Sequence, residues 1–279
     1  MAKTAVVSAR PEVQRFAQEL RAWRTRRGLS QLDLALRTGT TQRHLSFMEQ
    51  GRSSPGRTMV VRLAESLELG LRERNALLLT AGYAHPYPES ELHGPVLRPV
   101  RDAVTSILAG HEPYPAMVVR PDGEVVAWNS SVDVLLDGAD PALTTPPFNG
   151  YRLALHPMGM APRIRNLPEW GQHVLGALRV ATRRTPSEGL DRLVAELEAY
   201  VPPPTPGAEH LGFAVPLRLA CPEGELTLIT TLTSFATAVD VTLAELRLEA
   251  FLPADDESAT ILRTRAAGRE PSASWADRA

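Results

Sequence analysis

The sequence predicts an all-α domain of five helices followed by a larger α+β domain, and three observations carry that prediction. From Val13 to Gly82 apolar residues recur at helical spacing, and short breaks at Gly28, Gly39, Gly51 to Ser54 and Gly70 leave room for five helices of about 8–13 residues. Tyr83-Ala84-His85-Pro86-Tyr87-Pro88-Glu89-Ser90 then interrupts the pattern with two prolines and a polar tail, the composition of an interdomain linker. Beyond it, apolar runs of strand length around turn residues alternate with helical stretches. The boundaries that follow are a first domain over 13–82, a linker over 83–94, a second domain over 95–265 and a disordered tail over 266–279, where Gly268, Pro271 and Ser272 cluster.

In the second domain a helix is expected over 98–109. Strands over 116–120 and 124–128 flank Pro121-Asp122-Gly123, a hairpin turn, and Ser130 and Ser131 can cap a helix over 130–137. Residues 139–150, with Pro141, Pro146 and Pro147, read as loop. Helical spacing returns over 169–182 and 188–199, and Pro202-Pro203-Pro204 with Pro206-Gly207 marks a joint. Two strands, 213–220 and 225–233, flank Cys221-Pro222-Glu223-Gly224, and a third lies near 245–252. This order suits a sheet covered on one face by helices, an arrangement that encloses a small apolar cavity.

Composition narrows the function classes. With 279 residues, 43% hydrophobic and 22% charged, the chain has the material for two cores. No apolar run approaches the ~20 residues of a membrane span, and Met1 to Val7 lacks the apolar core of a secretory signal, so a cytoplasmic protein with no membrane partner is expected. Cys221 is the only cysteine, which excludes an internal disulfide and a cysteine-clustered metal site. Residues 1–90 hold 14 Lys+Arg against 8 Asp+Glu, while the remainder carries a balance of −8. A basic first block on an acidic remainder points to a polyanionic partner for the first domain.

The most constrained segment is Gln31 to Gln50. Ser30 is placed to cap one helix, with Gln31 at its exposed start, and Ala35 is small where two steeply crossing helices touch. Gly39 falls in the turn, where positive φ is required, and Thr40 is placed to cap the second helix. Leu34, Leu45 and Met48 face inward. An ordinary αα-hairpin needs the same apolar positions, but it has no need of an outer face made of Thr41, Gln42, Arg43, His44, Ser46 and Phe47. Gln and Arg pair bidentately with adenine and guanine edges, and Phe contacts a thymine methyl, so the face points to double-stranded DNA. Arg21, Arg24, Arg26, Arg27 and Arg57 are candidates for nonspecific attraction. Phe16 and Trp23 are read as core.

On these residues, and on Leu20-Arg21-Ala22-Trp23-Arg24, Gly28-Leu29-Ser30-Gln31, Gly39-Thr40-Thr41 and Met48-Glu49-Gln50-Gly51, residues 16–82 resemble the XRE family of Cro and lambda-repressor-like helix-turn-helix regulators. The resemblance implies a lambda-repressor-like fold and a homodimer on an inverted-repeat operator. It further implies that Gln31 clamps a phosphate, that Gln42, Arg43 and Phe47 face base edges, and that Thr41, Ser46 and Arg52 hold the backbone. Thr40 belongs to the same site as helix cap.

The second domain carries no G-x-S-x-G, H-E-x-x-H, Walker or dinucleotide glycine motif, and none of its histidines stands at metal-ligand spacing, so an enzyme is the weaker reading and no cofactor is expected. Val125-Val126-Ala127-Trp128-Asn129, His156-Pro157-Met158-Gly159-Met160, Asp240 to Glu249 and Phe251-Leu252-Pro253-Ala254-Asp255 resemble the PAS-like ligand-binding domain of MmyB-like regulators. Phe235-Ala236-Thr237-Ala238 departs from that pattern, with alanines where glycine and proline are expected. The resemblance implies a pocket for a fatty acid or similar amphipathic molecule, with Trp128, His156, Met158, Met160, Trp170 and Phe235 as candidate walls. Arg163 and Arg165 are candidates for pairing a ligand carboxylate. The alternative from the acidic charge balance is a protein-interaction module in place of a small-molecule sensor.

Overall fold

A computed structural model describes residues 11–184, 187–203, 215–235 and 238–276. They form two compact units: residues 11–90 with 238–244, and the described residues of 91–235 with 245–276.

The first unit holds five helices: α1 (Pro11–Arg26), α2 (Gln31–Thr38), α3 (Gln42–Glu49), α4 (Arg57–Ser66) and α5 (Leu71–Thr80). Phe16, Leu20 and Trp23 of α1 meet Leu34 and Ala35 of α2, Leu45 and Met48 of α3, Leu63 of α4 and Leu77 of α5 in one buried core. At 16 residues α1 is longer than the expected range, because its apolar stripe runs unbroken toward Gly28. Ser30 caps α2 in a reciprocal box with Asp33, and Gly39 ends α2 at φ 68°, a backbone region that side chains disfavour. The cap of α3 is Thr41, not Thr40. Thr41 is the extended residue whose hydroxyl accepts from the His44 N–H, whereas the Thr40 hydroxyl meets His44 Nδ1 at 3.1 Å.

The proline-bearing segment after α5 is not a free linker over its whole length. Asn75 Nδ2 donates to the Tyr87 carbonyl (2.7 Å), and Thr242 Oγ1 donates to the Ser90 carbonyl (2.7 Å). The Ser90 N–H donates to Asp240 Oδ2 at 3.1 Å, and Arg72 pairs with Glu89. Composition identified the prolines but not partners up to 152 residues away.

In the second unit, α6 (Arg98–Gly110) precedes the hairpin β1 (Ala116–Val119) and β2 (Val125–Asn129). A 3-10 turn, α7 (Asp133–Leu136), α8 (Pro141–Thr144) and α9 (Gly150–Leu155) follow, then α10 (Leu167–Arg184) and α11 (Glu188–Glu198). The chain closes with β3 (Leu217–Cys221), β4 (Gly224–Ser234), α12 (Val241–Glu245, which up to Ala244 belongs to the first unit), β5 (Arg247–Pro253), α13 (Asp256–Ala266) and β6 (Ala273–Trp275). The strands make one antiparallel sheet in the order β3-β4-β5-β1-β2-β6. Asn129, fully buried, ties the hairpin to its surroundings by accepting from the Ala116 N–H and donating to the carbonyls of Leu108 and Tyr114.

Three expectations are corrected, and one helix falls where the sequence pattern assigns no element. Apolar clusters lie on both faces of the sheet, not one: α6 with Ala116, Val118, Leu248 and Ala250 on one face, α9 to α11 with Met117, Val119 and Phe251 on the other. Residues 139–150 are not all loop, because Asp140 caps the short helix α8 through the Ala142 N–H. The segment after residue 253 contains α13, capped by Asp255, whose Ile261 and Leu262 are buried among charged neighbours too numerous to show helical spacing. The tail is ordered where β6 pairs antiparallel with β2, Trp275 opposite Ala127, and Trp275 Nε1 donates to Thr105 Oγ1 at 3.0 Å. A paired edge strand repays the ordering that composition alone argued against. The glycine and proline expected to mark a joint at 206–207, and the alanine-threonine pair at 236–237, lie outside the described residues.

Candidate nucleic-acid interface and ligand cavity

In the first unit α3 turns Gln42 and Arg43 fully outward, with Ser46 and Phe47 half-buried beside them. One helical turn separates Arg43 from Phe47, and the guanidinium lies over the ring, 5.4 Å from its centroid. The stack holds a long cationic side chain in one place on the surface. Ser46 accepts from Gln50 Nε2 at 2.9 Å, Thr41 is occupied as cap, and Arg52 is exposed just past the helix.

Gln31 is engaged from within. Its Nε2 donates to Glu49 Oε2 (2.8 Å), and Arg24 grips the same carboxylate with Nε (2.6 Å) and Nη2 (3.0 Å) while Nη1 donates to the Leu29 carbonyl. The ion pair is secluded, with side-chain exposures of 13% and 3%, and its hydrogen bonds to Glu49 hold Arg24 above its ordinary pKa. Arg24 therefore ties α1 to α3 instead of reaching outward. Arg26 and Arg27 lie over the Trp23 ring at 5.0 and 5.4 Å, and Arg27 also bonds the Leu67 carbonyl. Of the five arginines, Arg21, Arg26 and Arg57 are exposed, and Arg26 is the one of these that also lies over a ring. Phe16 and Trp23 are core, as expected.

The second unit contains a small, partly open cavity of about 40 Å³. Met117 and Val119 of β1, Tyr151 and Leu153 of α9, Trp170 and Val174 of α10, and Glu249 and Phe251 of β5 form its walls, with Leu135, Ala154 and Met160 between them. Glu249 stands opposite Met117 across the β1–β5 ladder, so the pleat aims it at the apolar face that Phe251 also lines. Its carboxyl makes no hydrogen bond or ion pair among the described residues, and its open side faces the cavity. Burial pushes Glu249 up to about 7. The Tyr151 hydroxyl shares the cavity and is pushed up to about 12, first by burial and then by the Glu249 charge. Gly123, at φ 85°, underlies the Tyr151 ring, and a Cβ there would collide with it.

Residues 100–264 match the family model described as the MmyB-like transcription regulator ligand binding domain. The chain belongs to the MmyB-like transcription regulators. In this MmyB-like regulator residues 20–74 match a helix-turn-helix model, so a DNA-binding helix-turn-helix unit precedes the ligand-binding domain. Similar solved structures include the restriction-modification controller protein C.AhdI from Aeromonas hydrophila, 31% identical over 23% of this chain and 98% of its own, with a TM-score of 0.23. The clp gene regulator ClgR from Corynebacterium glutamicum is 16% identical over 38% of this chain and 99% of its own, with a TM-score of 0.24. None of the curated proteins compared with the chain matches it.

Of the side chains expected around a ligand, Met160 and Trp170 line the cavity of this MmyB-like regulator. The other six do not. Trp128 packs edge-to-face on Phe148 at 5.3 Å, and His156 on Tyr200 at 4.9 Å, its Nδ1 accepting from the Met158 N–H. Met158 is 57% exposed, and Phe235 packs on the opposite face of the sheet. Arg163 donates through Nη1 to the Val134 carbonyl (3.1 Å) and through Nη2 to the Leu135 carbonyl (2.7 Å), which buttresses a cavity wall, while its Nε is buried without a partner among the described residues. Arg165 is exposed. Sequence reasoning missed Glu249 and Tyr151. The signal for Glu249 was a carboxylate inside Leu248-Glu249-Ala250-Phe251, a run apolar enough to be buried on both faces. Among the described residues no group of His, Cys, Asp and Glu could hold a metal ion, and no helix is long and apolar enough to cross a membrane.

Proposed function

We propose that this regulator binds an inverted-repeat operator as a homodimer, with half-sites about one helical turn (~34 Å) apart, and that a small amphipathic ligand in its second unit modulates that binding. The observation that carries the DNA reading is the outer face of α3, where exposed Gln42 stands beside an Arg43 guanidinium stacked on Phe47. Gln42, Arg43 and Phe47 read base edges, while Thr41, Ser46 and Arg52 position the sugar-phosphate backbone. Gln31 reaches a phosphate by exchanging its bond to Glu49 for one to DNA, and Thr40 steadies His44 at the start of the helix.

The ligand reading rests on the apolar cavity bounded by Met160, Trp170, Val119 and Phe251. Fatty acids are the class that the sequence resemblance names. A coupling of about 1–3 kcal/mol between cavity and operator suffices for regulation.

Selection of bound fragments from random DNA tests the first part. Wild-type protein enriches an inverted repeat, and Arg43→Ala loses about 1–3 kcal/mol of discrimination at one base pair per half-site. An unchanged selected motif for that variant rejects the assignment. Solvent extraction of the purified protein tests the second part: a released lipid or small acid supports it, whereas an empty extract together with no thermal shift across a panel of amphipaths counts against it.

A further inference from the structure

We infer that the cavity selects its ligand by the head group, taking amphipathic molecules whose polar end is a hydrogen-bond donor, a protonated amine above all, seated on the Glu249 carboxyl. The inference rests on the cavity being the ligand site and deepens that reading.

A carboxyl group on the inner face of a sheet is costly unless something pairs with it. Here nothing in the described protein does. Glu249 projects beside Met117 and Phe251 into space bounded by Tyr151, Val174 and Trp170, so one carboxyl, with the Tyr151 phenol, faces a mainly apolar hollow. On the strands beside it the facing residues are Met117 on β1 and Leu232 on β4, neither of them charged. Tyr151 on α9 is a titratable neighbour that feels the Glu249 charge, and Arg247, two residues earlier on β5, is exposed. Arg247 and Asp122 both act on Tyr151 electrostatically, with opposite signs.

A ligand ammonium supplies the charge-assisted hydrogen bond that the carboxylate lacks, while its hydrocarbon body covers Phe251, Met160 and Trp170. A hydroxyl head supplies a neutral version of the same bond. A carboxylate head places like charge against Glu249 and enters only if one proton is shared between the two acids. With Glu249 at about 7, the preference for a cation grows as pH rises through neutrality.

The test is calorimetric titration of the full-length protein with octylamine, octanol and octanoate at pH 8 and at pH 5.5. The expected order at pH 8 is octylamine, then octanol, then octanoate, with at least about tenfold between the first and last, corresponding to about 1.4 kcal/mol. At pH 5.5 that gap narrows. In Glu249→Gln, which keeps the shape and removes the charge, the three ligands converge to within about threefold. Met160→Trp, which fills the hollow, weakens all three and so locates the site. Octanoate binding as tightly as octylamine to the wild type, or an amine preference that survives Glu249→Gln, overturns the head-group assignment and leaves the cavity as a ligand site. If none of the three binds, the ligand-site reading falls and this inference with it.

Discussion

Replacing Glu49 with alanine is expected to destabilise the helix-turn-helix unit by about 3–5 kcal/mol, the usual cost of stripping one partner from a secluded ion pair. Two features place the effect at this size. The Glu49 side chain is 3% exposed, so water does not replace it at the Arg24 guanidinium, and the same carboxylate also holds Gln31. One residue at the end of α3 therefore anchors α1 and the first residue of α2. Hydrogen exchange across α1, α2 and α3 in the full-length protein reads the loss locally. The double variant Arg24→Met with Glu49→Leu is expected to recover most of it, since replacing a whole buried pair by apolar groups is close to neutral or favourable. A Glu49→Ala protein with wild-type protection in all three helices would show that the pair is an ornament of the surface. Loss of operator binding in that variant would follow from misplacing α3, and the double variant separates this from a direct role of Glu49 at DNA.

Glu249→Gln is expected to stabilise the second unit by about 3 kcal/mol at pH 8 and to change nothing near pH 4. The sign follows from where the proton sits. Unfolded, the carboxyl titrates at about 4.5, and folded at about 7. Below 4.5 both states hold the proton and the cavity imposes no cost. Between 4.5 and 7 the folded state keeps a proton that the unfolded state releases, so stability falls as pH rises. Above 7 both are ionised and the full penalty stays in place. Glutamine has no such dependence. Urea unfolding followed by tryptophan fluorescence weights the second unit, which holds Trp128, Trp170 and Trp275 against Trp23 in the first. Parallel stability–pH curves for the two proteins would mean that the carboxyl is solvated or paired and that the cavity does not strain it.

Glu249 also marks how far the sequence could be read. The helix-turn-helix register was legible because it is local: Ser30, Ala35, Gly39, Leu45 and Met48 lie within twenty residues, and each answers a requirement of a cap, a contact or a turn. The outer face of α3 was legible for the same reason, since helical periodicity alone says which residues point away from Leu45 and Met48. The strands around Pro121-Asp122-Gly123 and Cys221-Pro222-Glu223-Gly224 were readable from their turns. What failed was long-range. Candidate ligand residues were chosen for aromatic, sulfur and guanidinium chemistry, and most of them found protein partners: Trp128 on Phe148, His156 on Tyr200, Arg163 on backbone carbonyls. Arg24 looked like a phosphate contact until Glu49, twenty-five residues away, proved to be its partner. The order of the tail was hidden because β6 gains its bonds from β2, far back in the chain.

By itself the sequence determined the element types, the two-part organisation and the exposed chemistry of α3, because these depend on periodicity, capping and turn residues within a few turns of helix or a single hairpin. Only the tertiary structure decided which charges are spent internally and which polar group faces the hollow. Sheet order and cross-strand register bring Glu249 beside Met117 and Phe251, and no local pattern encodes which residue a strand will find opposite it.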